Sequence, residues 1–381
     1  MFADKKIKIL QCIRQGQVGG GESHLLSLVE NINREIYDPV VLSFTDGPMI
    51  DQLKEMKIST YIIPTEKPFD FRVWKKVAKL LVKEKINLIH CHGSRAMSNV
   101  FRPAKALKIP IVYTIHGWSF HEDQHPFVKR LRIMGEKFLT SRSDLNIAVS
   151  ESNMQTGKSY FPGFYATVIN NGINEQKFNP SNKFNDIRAE LNISTGDVLL
   201  IFIARFTSHK QPLSLIKSFA KALKINPALQ LLMVGDGDEK KKALEVVKQL
   251  KIEDAIHFLP FRQDVPSLLA AADIFVLPSL WEGLPIGLLE AMSMGKAIIA
   301  TNVDGTKEII ENDFNGLLIE TNNLVDNLTK AIVHLSADKS LRKRLAENAM
   351  QTVTDNFDAI TMTRKIEKEY STIILKNDVL A

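Results

Sequence analysis

The sequence predicts two α/β domains in tandem, each a mostly parallel, doubly wound sheet with helices on both faces. Three observations carry this. The chain has 381 residues, more than one hydrophobic core usually supports. Short β-branched and apolar runs alternate with helical patterns, the order that builds parallel sheets. One turn-rich stretch, residues 161–180, divides that alternation into two halves.

In the first half, residues 7–13 read as a strand, followed by a glycine-rich turn and apolar residues at helical spacing (Leu25, Leu26, Leu28, Val29, Ile32). Further strands are predicted at 39–44, 60–63, 86–90, 111–115 and 145–149, with a helix over 74–83. The second half repeats the pattern, with strands at 198–203, 229–234, 256–258, 274–277 and 297–300. The expected domains are 1–170 and 171–355, with a final helical stretch beyond.

Composition narrows the function classes. No apolar run approaches the eighteen or so residues of a membrane span, and the opening residues are too few and too charged for a signal peptide. Cys12 and Cys91 lack a pairing pattern and suit a reducing cytoplasm. Charge is uneven: through Asn170 there are 24 Lys and Arg against 16 Asp and Glu, and beyond it 25 against 27. A basic first domain suits an anionic membrane surface, an anionic acceptor or nucleic acid. No nucleic-acid-binding motif is present, so nucleic acid is not expected as a partner. Arg72, Lys75, Lys76, Lys79, Lys83 and Lys85 lie on or beside one helix whose apolar residues (Phe71, Trp74, Val77, Leu80, Leu81) are expected to pack on the sheet. With Lys129, Arg130 and Arg132, the lysines make a candidate contact with anionic lipid.

The candidate chemistry lies at strand ends. Glu282 and Glu290 stand eight residues apart after the strand run 274–277. Pro285 suits a helix start and Gly295 a left-handed stop. A strand, a turn and a helix N-terminus make an anion site; two carboxylates beside it would need hydroxyl donors, as sugars and ribose provide. A capping carboxylate plus a solvated helix face is the other reading of the spacing. Arg205 and Lys210, after the run 198–203, pair a planar and a flexible cation suited to a diphosphate. Gly235-Asp-Gly-Asp238 ends a strand run and contains Asp-x-Asp, a pattern that can hold a divalent metal. His90-Cys-His92 invites a zinc reading, but no second ligand pair is evident, so no metal is expected. Gly19 and Gly20 permit close backbone approach, and His116 ends the strand run 111–115.

From Phe258 to Ile319 the chain carries Phe-Leu-Pro-Phe-Arg-Gln-Asp-Val-Pro, then Trp-Glu-Gly-Leu-Pro-Ile-Gly-Leu-Leu-Glu, then Asn-Gly-Leu-Leu. This resembles the donor domain of glycosyltransferase family 4 (group 1), and the likeness continues in order through the first half. The resemblance implies a GT-B protein, two Rossmann-like domains facing across a cleft with the helix 356–381 returning to the first. It implies a retaining transferase that uses a nucleotide diphosphate sugar, UDP-sugar favoured over GDP-sugar, with no further cofactor. Arg205, Lys210 and Gly235 would then meet the pyrophosphate and nucleotide, Phe261 the base, and Glu290 the ribose. Glu282, Gly283, Leu284 and Pro285 would surround the donor, Gly19 and Gly20 the diphosphate, and His116 the transferring sugar, as a hydrogen-bond donor. The acceptor would be a carbohydrate or a lipid-linked molecule, as in cell-surface polysaccharide or glycolipid assembly, with the enzyme in the cytoplasm or peripheral at the inner membrane. A non-hydrolysing nucleotide-sugar epimerase and a catalytically silent partner protein are the alternatives, and the oligomeric state is open. Three departures stand out: Gln211 and Pro260 replace frequent glycines, and Asp304-Gly305 replaces a frequent Gly-Gly.

Overall fold

The computed structural model describes residues 6–17, 19–121 and 124–379. Contacts divide the chain into Met1–Gly172 with Ala359–Ala381, and Ile173–Asp358. The first unit holds β1 (Ile7–Ile13), β2 (Tyr37–Ser43), β3 (Ser59–Ile62), β4 (Leu88–His92), β5 (Ile111–Ile115), β6 (Leu145–Ala148) and β7 (Thr167–Val168), in the order β3-β2-β1-β4-β5-β6-β7. Every pairing is parallel. The order turns back between β1 and β4, and ligands in such sheets bind beyond the carboxyl ends at that switch point.

The second unit holds β8 (Val198–Ile203), β9 (Leu229–Val234), β10 (Ile256–Leu259), β11 (Ile274–Leu277), β12 (Ala297–Thr301) and β13 (Leu317–Ile319), in the order β10-β9-β8-β11-β12-β13. It too is parallel throughout, and its switch point lies between β8 and β11.

β1, β5, β8, β9 and β11 run over the residues that the apolar pattern predicts. β4 begins two residues later than expected, for a local reason. The helix Phe71–Glu84 ends with Lys85 in the left-handed conformation, and the Ile86 N–H donates to Leu81. Ile86 is thus the buried contact of a helix terminus, and the strand starts beyond it. β7 and β13 were not expected; at two and three residues they are too short to show a period.

Helices cover both faces of each sheet. On the helix Phe71–Glu84, Val73, Val77, Leu80 and Leu81 are buried, while Lys75, Lys76, Lys79 and Lys83 face out; Phe71, expected on the sheet, is instead 74% exposed, because as the first helical residue it lies at the rim. The helix Ala359–Val379 packs Met362, Ile366, Tyr370 and Ile373 against Ile9, Leu88, Val112 and Ile147 of the first sheet. The helix Pro126–Thr140 differs: Phe127, Leu131, Met134 and Phe138 follow i, i+4, i+7, i+11 spacing and are exposed by 65, 52, 59 and 37%. Its buried side carries Glu136, Leu139 and Thr140 instead. Cys12 and Cys91, unpaired by any spacing in the sequence, are register neighbours across β1 and β4, both buried and free. Among the described residues no helix is long and apolar enough to cross a membrane.

Candidate functional site

In the second unit, the loops after β8, β9, β11 and β12 are knitted together at the carboxyl ends of the strands. Glycine makes this possible. Gly235 has φ +134, and a Cβ there would lie 2.2 Å from the Ala204 carbonyl oxygen. The Gly235-Asp-Gly237 turn therefore lies directly against the backbone that leads into Arg205, and Phe206 N–H donates to the Asp236 carbonyl at 3.0 Å. Asp236 uses its carboxylate on Lys240 Nζ (2.7 Å) and the Phe261 N–H (3.2 Å). These contacts lower the proton affinity of its carboxyl, the Lys240 bond most of all. Both oxygens are engaged in closing a turn. The Phe261 N–H is likewise taken, and the residue is 39% exposed.

The segment Arg205–Gln211 follows β8. Arg205 is exposed, with no ion-pair partner among the described residues. Lys210 is half-buried and paired with Glu282 of the loop after β11. The two loops are fastened twice more: Leu280 N–H donates to the His209 carbonyl at 2.8 Å, and the His209 ring stacks on Trp281 with centroids 4.0 Å apart. Gln211, one of the departures from the family pattern noted in the sequence, adopts φ +54 and ψ +42. The loop therefore keeps a left-handed, glycine-like backbone with a side chain that bonds Ser208 and Ser214.

Beyond Glu282 the chain passes Gly283, Leu284 and Pro285 into the helix Ile286–Ser293, whose first amides receive no side-chain cap. Pro285 stands just before the helix rather than as its first residue, with its carbonyl accepting from Leu288. Gly295 closes the helix with φ +62, as read from the sequence. Gly305 is required by packing, since a Cβ would fall 1.8 Å from the Gly283 carbonyl oxygen. Asp304 keeps a positive φ of 27, and burial raises its carboxyl although the Glu282 backbone opposes the shift. Glu290 is half-buried, and enclosure by protein pushes its carboxyl up to about 7, against the weaker pull of Lys177. A carboxyl in that state exchanges its proton near neutrality. Arg205, Lys210 and Gly235 thus follow the carboxyl ends of β8 and β9, and Glu282 and Glu290 lie in the loop and helix that follow β11.

The first unit gathers a different chemistry. Gly19 precedes the helix Gly20–Asn31, and a Cβ on Gly21 would touch the His116 ring at 3.4 Å. His116 Nε2 meets His92 Nδ1 at 3.1 Å, His92 Nε2 meets Gln11 Oε1 at 2.9 Å, and His24 Nδ1 meets Asn171 Oδ1 at 2.9 Å. His90 joins Tyr370 and Thr114. Burial, the leading cause, lowers the proton affinity of all four imidazoles, so they are neutral at pH 7. One nitrogen each of His24, His92 and His116 lie within 4.8 Å of one another. The His92 and His116 rings are nearly parallel, 20° apart, with centroids at 5.4 Å. Given nitrogens 3.1 Å apart, the rings lie end to end, an N–H facing a lone pair. Ligands converging on one ion would bring the ring centres closer for that nitrogen separation. This cluster was not legible beforehand: Gln11, His24 and Asn171 carry no motif, and His90-Cys-His92 finds its partners on other elements. In the loop 118–127, Trp118 and Phe120 are buried against Phe161; Glu122 and Asp123 of that loop lie outside the described residues.

Residues 18–177 match the family model Glycosyltransferase Family 4, and residues 183–352 match Glycosyl transferases group 1. An N-acetyl-alpha-D-glucosaminyl L-malate synthase of Bacillus anthracis is 30% identical over 85% of this chain and 84% of its own. The chain belongs to glycosyltransferase family 4, group 1. It is therefore a retaining glycosyltransferase of GT-B fold. A second relative, an Escherichia coli UDP-Gal:alpha-D-GlcNAc-diphosphoundecaprenol alpha-1,3-galactosyltransferase, is 27% identical over 97% of this chain and 98% of its own. Among solved structures, Anabaena Alr3699/HepE in complex with UDP and glucose superposes with a TM-score of 0.85 at 24% identity, covering 96% of this chain and all of that one. That likeness shows the fold.

Proposed function

We propose that this family 4 enzyme transfers a sugar from a UDP-sugar to a lipid-linked carbohydrate acceptor, without a metal ion, at the cytoplasmic face of a membrane. The observation that carries the donor assignment is the Lys210–Glu282 ion pair, which joins the loops after β8 and β11 at the switch point of the second sheet, with Arg205 and Glu290 on the same two connections. Arg205, Lys210 and the uncapped amides of the helix Ile286–Ser293 neutralise the leaving diphosphate. Glu290 accepts from the ribose hydroxyls and Glu282 from the donor sugar. Lys210 holds Glu282 in place until the diphosphate arrives and competes for the lysine. His116 contacts the transferring sugar, and catalysis rests on positioning and electrostatics. Two relatives support the donor and acceptor classes: the E. coli enzyme takes UDP-Gal and a diphosphoundecaprenol-linked sugar, by its name, and the Anabaena protein holds UDP.

The Bacillus anthracis relative makes a malate glycoside, so the family alone leaves the acceptor open. The surface of the first unit favours lipid. The exposed stripe Phe127, Leu131, Met134 and Phe138 continues through Phe69, whose ring lies 6.2 Å from that of Phe138. Exposed Arg130, Arg132 and Lys137 flank it. An apolar helix face bordered by cations fits the interface of an anionic bilayer. On the lysine-rich helix Phe71–Glu84, by contrast, Val73, Val77, Leu80 and Leu81 are spent on the core and Phe71 alone of the expected apolar set is exposed. Donor choice is tested by thermal shift with UDP and GDP, where ligand at a hundredfold excess over Kd adds about 2.7 kcal/mol of stability. Acceptor presentation is tested by vesicle sedimentation. L131E/M134E should weaken binding to anionic vesicles by at least about tenfold. Equal binding by the variant, or none by the parent at low salt, points to a soluble acceptor.

A further inference from the structure

We infer that Tyr370, Gln11 and His92 are positioning residues that fix the tautomer of His116, keeping Nε2 protonated and Nδ1 as a hydrogen-bond acceptor for a donor-sugar hydroxyl. The sugar contact rests on the proposed function; the tautomer does not.

The direction of the chain of hydrogen bonds follows from its least ambiguous member. His90 is neutral and fully buried, between the Tyr370 hydroxyl at Nδ1 and the Thr114 hydroxyl at Nε2, both at 2.6 Å. One ring nitrogen must accept and the other donate. A phenol is the stronger donor and an aliphatic hydroxyl the better acceptor, so Tyr370 donates to Nδ1 and Nε2–H donates to Thr114. Tyr370 has then used its only proton, and at 3.0 Å it must accept from Gln11 Nε2. That turns Gln11 Oε1 toward His92 Nε2, which must carry hydrogen because an amide oxygen only accepts. His92 is neutral, so its Nδ1 is bare, and the end-to-end contact at 3.1 Å requires hydrogen on His116 Nε2.

His116 is the half-buried end of this relay. Its Nδ1 has no partner among the described residues and accepts rather than donates, the reverse of the donor role expected from the sequence. The members come from β1, β4, β5 and the helix Ala359–Val379. Gln11 and Tyr370 are fully buried, so neither reaches a substrate. The His24 ring meets the His116 ring edge-on at 4.8 Å, while its own Nδ1 is anchored on Asn171. It limits the tilt of His116 without contributing a bond to it.

The test uses the full-length enzyme labelled with 15N at the histidine rings, the His116 signals being assigned by their loss in H116Q. The parent should show His116 with Nε2 protonated and Nδ1 bare at pH 7.5. Q11L should shift both signals toward the average of the two tautomers, and Y370F, which keeps the ring in the core, should do so partly. Q11L should also lower kcat about ten- to a hundredfold while the Kd for UDP changes less than twofold. His116 protonated at Nδ1 or at both nitrogens in the parent overturns the inference, as does an unchanged His116 spectrum in folded Q11L. If Q11L fails to fold, the parent spectrum and Y370F still decide. Because the spectrum is read without substrate, the expected tautomer in an enzyme that transfers no sugar would count against the proposed function alone.

Discussion

Glu290 should make both stability and nucleotide binding depend on pH in ways that one substitution isolates. Its carboxyl lies at about 7 in the folded chain, against an ordinary value near 4.5. A group raised on folding contributes stability that is fully present below about pH 4.5 and is lost as pH rises through about 7, since the native state binds the extra proton. The displacement corresponds to about 3 kcal/mol, an upper figure for a half-buried side chain. Glu290→Gln keeps the shape and cannot ionise. Between pH 4.5 and 8 the parent should therefore lose up to about 3 kcal/mol more stability than the variant, read as urea midpoints across that range. Binding carries the opposite sign. If the carboxylate accepts from ribose, UDP selects the ionised form, whose fraction rises from about 10% at pH 6 to about 90% at pH 8. Parent affinity should then gain about ninefold over the variant's across that interval. The ratio cancels the titration of the nucleotide's own phosphate. A parent-to-variant ratio that stays constant from pH 6 to 8, in titration calorimetry, would refute the ribose contact.

Three further outcomes follow from the second unit. Glu282→Gln should leave UDP affinity within about twofold and depress kcat by about tenfold or more; parent-rate transfer of sugar by this variant would misplace the donor. Arg205→Ala and Lys210→Ala should each slow transfer, whereas excess chelator should not; loss of activity in chelator, restored by magnesium or manganese, would contradict the metal-free proposal. Gly235→Ala places a methyl on the Ala204 carbonyl and should cost about 2–4 kcal/mol in urea unfolding. A change below about 0.5 kcal/mol would mean that the turn is not closed as described.

The fold was legible because apolar runs of four to seven residues alternate regularly with helical spacing, and strands such as β8 and β11 are buried on both faces. The carboxylates and cations of the second unit were legible as motifs lying close to one another in the chain. What joins them was not. Lys210 and Glu282 are separated by 72 residues, and only the parallel order β8-β11 brings their loops together. The relay in the first unit spans up to 359 residues and runs sideways through the sheet, where no periodicity records it. Apolar spacing on the helix Pro126–Thr140 shows that a face is to be covered, but not by what. Gln211 shows the limit from the other side: a missing glycine need not mean a missing turn, because one residue can be held in the left-handed region when both loop ends are fixed.

The helix Ala359–Val379 has a consequence for how the protein is made. It completes the core around Ile9, Leu88, Val112 and Ile147, yet it is synthesised after the whole second unit, Ile173–Asp358. At about 5–20 residues per second, a ribosome needs roughly 10–40 s to traverse that interval. During it part of one apolar face of the first sheet is uncovered, and at its end the second unit has every segment it needs. The later half of the polypeptide can therefore finish folding before the earlier half. The nascent first sheet is the interval's natural target for chaperones, and a stop codon within the last helix would strand it in that unfinished state.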